Sequence, residues 1–243
     1  MARFFVDQLP PEGSAYALTG ENAAHAKVLR LRPGEEVTLC DGRGTDCPCV
    51  VEESLTLRVG APLPCPSEPR ARVTLYLAFP KADKAEHVIQ KATELGAAEL
   101  VFFPSRYCVS RPDDRSLGKK LERWQKIARS AAEQSRRGVI PPVRAVDSCA
   151  HALAEAAQAA LPVLFYENEE QFGLRDLFAS GRRPMTAPTV ALMTGAEGGF
   201  SEEEIVQARG AGMKICTLGP RILRCETAPL AGLTAVLYAL GEI

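Results

Sequence analysis

The sequence predicts an α/β protein with a mainly parallel sheet, preceded by a smaller β-rich domain. Three observations carry this. From Val73 onward, apolar strand-like runs alternate with helical patterns, the order that builds parallel βαβ units. The first sixty residues read instead as short strands and turns. Between them, the stretch from Gly60 to Arg72 holds Pro62, Pro64, Pro66 and Pro69, a density that favours an extended spacer. The domain boundary is placed in that stretch, giving domains 1–70 and 71–243.

The elements follow in order. Residues 36–40 alternate as a strand, Asp41-Gly42-Arg43-Gly44 supplies a hairpin turn, and residues 55–59 alternate again. Residues 22–31 form a short helix stopped by Arg32-Pro33-Gly34. In the second domain, residues 73–79 are a strand. Residues 81–95 are a helix with Ala85, Val88, Ile89, Ala92 and Leu95 on one face, closed by Gly96. Residues 99–103 are a strand and 116–137 a long helix burying Leu117, Leu121, Trp124, Ile127, Ala128 and Ala131. Then come a helix (149–160), strands (161–166 and 190–194), a helix (201–211), a strand (214–218) and a closing helix (227–240).

Composition excludes several classes. Of 243 residues, 46% are hydrophobic and 24% charged, the balance of a globular chain, with no apolar run long enough for a membrane span. The amino terminus is charged by its third residue with no apolar stretch behind it, so no secretory signal and a cytoplasmic location are expected. The eight cysteines lack a CxxC pair, and His25, His87 and His151 lie far apart, so free thiols are expected rather than disulfides or a metal site. Net charge is −1, but from Arg106 to Arg144 eleven Lys or Arg face four acids. Such a stripe can attract phosphate or simply solvate a helix face.

Two loops stand out, each after a predicted parallel strand, where open α/β sheets place ligand sites. The first, Leu192-Met193-Thr194-Gly195-Ala196-Glu197-Gly198-Gly199-Phe200, has three glycines in five residues. They permit a tight turn and close approach to a ligand. Ser201 and Glu204 then form a capping box. The spacing is not GxGxxG, so a dinucleotide site is not indicated, and alone the loop reads first as a structural turn. The second, Leu218-Gly219-Pro220-Arg221-Ile222-Leu223-Arg224-Cys225-Glu226-Thr227, breaks a strand and runs into the last helix, for which Thr227 is the expected cap.

Together, GAEGGFSEEEI and LGPRILRCETA resemble the signature pair of the RsmE-type methyltransferases of the knotted SPOUT class. Lys91-Ala92-Thr93-Glu94-Leu95-Gly96 is similar to that family's KxxELG helix end. Ala131-Ala132-Glu133-Gln134-Ser135, with Arg137 and Pro141, is similar to its AAEQ segment. Arg3, the stretch from His25 to Arg30 and Asp41-Gly42 also match. The resemblance spans nearly the whole chain. It departs at Ala196, where the family usually has proline, and at Cys225, where threonine is usual.

The resemblance implies a trefoil-knotted SPOUT domain after a PUA-like β-barrel that grips RNA. It implies S-adenosylmethionine as cofactor, N3 of a uridine in 16S ribosomal RNA as acceptor, and a homodimer. Leu192, Met193, Thr194, Gly195, Glu197, Gly198 and Gly199 would form the cofactor pocket with Leu218, Gly219, Ile222, Leu223, Arg224 and Thr227. N3 is a nucleophile only once its proton is lost, so a base or a cation that stabilises the anion is needed. Arg224 and then Arg137 are the candidate cations. Glu197 or Glu226 is either a base or a loop-fixing carboxylate. Arg3, His25, Arg30, Arg106, Arg129 and Arg137 are the candidate RNA contacts.

Overall fold

A computed structural model describes residues 2–81, 83–179 and 188–243. The chain divides into two compact units. The first takes in residues 1–68 and 130–140, the second 69–129 and 141–243.

The first unit contains β1 (Ala2–Phe5), β2 (Ala15–Ala17), α1 (Gly20–Val28), β3 (Glu36–Cys40), β4 (Thr45–Val51), β5 (Thr56–Val59) and β6 (Leu63–Pro64). They make one sheet of order β1-β3-β4-β5-β2, with β6 on β4. No ladder joins β1 to β2 among the described residues, so the expected barrel is open along that seam. Phe4, Val37, Leu39, Leu57 and Ala26 fill its core. Sequence reading passes over β4 because Pro48 interrupts it; proline demotes a run by removing a ladder donor. Here Pro48 still contributes its carbonyl, which accepts the Gly60 N–H at 2.8 Å.

Segment 130–140 has no counterpart in the boundary expected at residue 70. Ala132 and Ile140 pack against Phe5 and Cys40, and Gly44 N–H donates to Gly138 O at 3.0 Å.

The second unit holds β7 (Arg72–Ala78), α2 (Lys84–Leu95), β8 (Glu99–Phe103), α3 (Asp114–Gln134, whose final residues belong to the first unit), β9 (Val143–Ala145), α4 (Cys149–Ala156), β10 (Leu161–Phe165), α5 (Leu174–Ala179), β11 (Thr189–Thr194), α6 (Glu202–Gly210), β12 (Lys214–Cys216) and α7 (Ala228–Leu240). Its six strands run in the order β12-β10-β11-β7-β8-β9, every neighbouring pair parallel. Central β11 and β7 are nearly continuous apolar runs, as strands covered on both faces must be. α2 closes as expected on left-handed Gly96, whose side-chain space is occupied by Pro69. The long helix stops at Gln134 rather than 137, and Arg136 turns the chain with positive φ. β9 and α5 are too short for their periodicity to register.

Among the described residues no helix is long and apolar enough to cross a membrane. All eight cysteines are free.

Candidate functional site

Three neighbouring strands, β11, β10 and β12, end on the same side of the parallel sheet. The loops that follow them enclose a cleft of about 660 Å³. Its walls come from Thr194–Glu197 and Gly199, from Phe165–Glu167 with Glu169 and Glu170, and from Thr217–Cys225.

The first loop is built by close backbone contact. Gly199 N–H donates to Ala196 O at 3.0 Å, closing a four-residue turn without the proline usual there. A side chain on Gly195 would come within 2.9 Å of the Gly199 backbone, and Gly199 itself has φ +66°. A Cβ on Gly199 would overlap the Glu167 carboxylate. The capping box then starts α6: Glu204 N–H donates to Ser201 Oγ, and Ser201 N–H to Glu204 Oε2 at 2.9 Å.

In the second loop, Gly219 takes φ +106°, which only glycine adopts readily, and its N–H donates to Thr217 Oγ1 at 3.1 Å. Ile222 is 83% exposed and Arg224 is exposed at the cleft, with no ion pair among the described residues. Thr227 does not cap α7. Its backbone is already helical, and the amides of Thr227 and Ala228 both donate to Arg224 O, so the turn begins earlier than expected.

One cation joins the two loops. Lys84 Nζ lies 3.0 Å from Glu197 Oε1 and 3.2 Å from Glu226 Oε2, while Lys81 N–H donates to Glu197 Oε1 at 3.1 Å. Burial pushes both carboxyls up, but hydrogen bonds (to Glu197 from Lys84 and backbone amides, to Glu226 from its own amide, Cys225 and Lys84) and the charge of Lys84 outweigh it, and both end below the ordinary value. Burial also pushes the Cys225 thiol up to about 12. Glu197 therefore stands as a fixed carboxylate, which accepts a proton poorly.

Nine of the expected pocket residues line the cleft: Thr194, Gly195, Glu197, Gly199, Leu218, Gly219, Ile222, Leu223 and Arg224. Leu192 and Met193 do not. They are fully buried in β11, where both sheet faces are covered. Gly198 faces away, its Cβ position lying 2.6 Å from Tyr107 Cβ. Thr227 borders a separate hollow with His87 and Tyr238. The β10 loop escaped sequence reading altogether. Its only signal is the acidic run Glu167-Asn168-Glu169-Glu170 directly after a parallel strand.

The expected RNA contacts divide. Arg3 is 8% exposed and forms a two-pronged pair with Asp46, with Nη2 to Oδ2 at 2.7 Å. Arg137 is 3% exposed and forms another with Glu68, at 3.2 and 2.7 Å. Both guanidiniums are thus buried and paired in the structure. His25 is half-buried, edge-on to Phe4. Arg30 and Arg106 are exposed and Arg129 is half-buried. Elsewhere in the basic stripe, Arg123 pairs with Glu86, and Arg144 with Glu99 and Glu155. No group of three or more His, Cys, Asp or Glu among the described residues could hold a metal ion.

Residues 66–237 match the family described as RNA methyltransferase domain, and residues 18–59 the RNA methyltransferase PUA domain. The chain is similar to the ribosomal RNA small subunit methyltransferase E of Mycobacterium bovis, at 36% identity over 96% of this chain and 90% of the relative. It is also similar to that of Bacillus subtilis, at 34% over 98% and 96%. The crystal structure of the corresponding Neisseria gonorrhoeae protein, bound to S-adenosyl methionine, aligns with a TM-score of 0.82 at 31% identity over 98% of this chain and 97% of that one.

Proposed function

The chain belongs to the RNA methyltransferase family that contains the small subunit methyltransferase E proteins, and within that membership we propose that it methylates N3 of one uridine in 16S ribosomal RNA. It is an S-adenosylmethionine-dependent ribosomal RNA methyltransferase. The observation that carries the reading is the cleft at the ends of β11, β10 and β12, to which both glycine-bearing loops contribute.

The residues present fit the cofactor. Phe165, Ile222, Leu223 and Ala228 offer apolar surface for a nucleoside base, and the glycine turn lets backbone groups approach it. Glu167, Glu169 and Glu170 lie on the wall where a cationic sulfonium or ammonium group is welcome. Three acids in the first turn of α6 disfavour a phosphate guest. When bound, S-adenosylmethionine supplies a methyl group already activated for transfer. The protein's work is to hold the uracil in line and stabilise the N3 anion, and Arg224 at the cleft is the group assigned to that charge. Exposed Arg30 and Arg106 are the first RNA-contact candidates of this reading, and half-buried His25 and Arg129 are further ones.

The reading includes a SPOUT knot and a homodimer. In favour of the knot, the segment after β12 turns back so that α7 packs on central β11 and on α2. In favour of the dimer, α7 leaves Tyr238 74% exposed, beside a hollow lined by Leu230 and Ile243.

The test uses small subunits purified from cells lacking this gene. Incubated with the protein and donor, their 16S RNA should gain one N3-methyluridine by nucleoside mass mapping. A methyl group on ribose, or on another base, would refute the proposal.

A further inference from the structure

Lys84 opens α2 and is absent from the cleft wall, yet it touches two of the three loops that form it. Its Nζ meets Glu197 of the first loop at 3.0 Å and Glu226 of the second at 3.2 Å, and lies 3.6 Å from Cys225 Sγ. Glu197 and Cys225 both line the cleft. The two loops leave different strands, β11 and β12, which are not hydrogen-bonded to each other because β10 lies between them.

We propose that Lys84 is a positioning residue that fixes the spacing of the β11 and β12 loops on the cleft wall and so sets the affinity for the methyl donor. The inference rests on reading the cleft as the donor site. Without the ammonium, two carboxylates that now share one cation would face each other unscreened, and like charges at that range repel. The Lys81 N–H would still hold Glu197, but nothing equivalent would hold Glu226 to α2. An isolated partly exposed ion pair adds little to global stability. A cation shared between two loops acts instead on their relative position, so its loss is read in binding. Among the described residues Lys84 reaches Glu197, Glu226 and Cys225, and none of these is the cation assigned to the uracil anion, so turnover at saturating donor should be nearly spared.

The full chain is titrated calorimetrically with S-adenosylhomocysteine, and steady-state methyl transfer is measured alongside, for wild type, Lys84→Met, Lys84→Arg, Glu226→Gln and the Lys84→Met/Glu226→Gln double variant. Lys84→Met should raise Kd and donor KM about five- to tenfold, in the range of coupled neighbours, with kcat falling less than about threefold. Lys84→Arg should recover most of the affinity. The double variant should bind no worse than Lys84→Met, because the neutralised Glu226 no longer needs the cation. Wild-type affinity in Lys84→Met, or fully additive losses in the double variant, would overturn the inference. A wild-type protein that fails to bind S-adenosylhomocysteine would overturn the donor-site reading itself, and the tether with it.

Discussion

Arg137 and Glu68 form a two-pronged ion pair, Nε to Oε1 at 3.2 Å and Nη2 to Oε2 at 2.7 Å, with the arginine side chain 4% exposed. The same carboxylate accepts the amides of Gly138 and Val139 at 2.8 and 3.0 Å. The pair thus pins segment 130–140 to the first unit. Removing one partner strands a buried charge, so Arg137→Met should destabilise that unit by about 3–5 kcal/mol. Urea unfolding followed by circular dichroism checks this. A variant with unchanged stability and abolished methyl transfer would return Arg137 to a catalytic role.

Arg224 presents the opposite case. It is exposed at the cleft and makes no ion pair among the described residues. Arg224→Ala should lower kcat by about 100-fold or more, the scale of losing one charge-stabilising group, while donor affinity changes little. Measuring kcat and S-adenosylhomocysteine Kd separately decides it. A full-rate Arg224→Ala enzyme would remove the arginine from the chemistry.

Gly195 tests the turn. An added methyl group would press within 2.9 Å of the Gly199 backbone, and backbone cannot rotate out of the way. Gly195→Ala should weaken donor binding by more than about tenfold while shifting global unfolding far less. Wild-type affinity in this variant would show that the turn is not part of the pocket.

The pH dependence of the tether follows from two lowered carboxyls. Glu197 and Glu226 both titrate below the ordinary 4.5 in the folded protein. Their contribution is therefore complete above about 4.5 and is lost as pH falls through the lowered values. Donor affinity should be flat from pH 8 to 5 and weaken only below about 4.5. Calorimetry across that range checks it. A drop in affinity between pH 7 and 5.5 would contradict the tether.

Much of this was legible in the sequence, for physical reasons. The parallel sheet announced itself through long apolar runs such as Val73–Phe79, and the capping box at Ser201 and Glu204 through its spacing. The two cleft loops were visible as glycine-rich or proline-broken segments after strands. What stayed hidden depended on pairing across distance. Nothing local in Arg3 or Arg137 reveals the carboxylates at Asp46 and Glu68 that bury them. Nor does Leu192 or Met193 reveal that its strand is central and covered on both faces. The β10 loop was missed because an acidic run reads as solvated surface until the sheet order sets it between two glycine-bearing loops.

The most direct measurement is a crystal structure of the protein soaked with S-adenosylhomocysteine. The account predicts density for the ligand between the Gly195–Gly199 turn and the Leu218–Cys225 loop, against Glu167, with Arg224 at its open side. Ligand bound elsewhere, or a cleft filled by the Ile222 and Leu223 side chains, would contradict it.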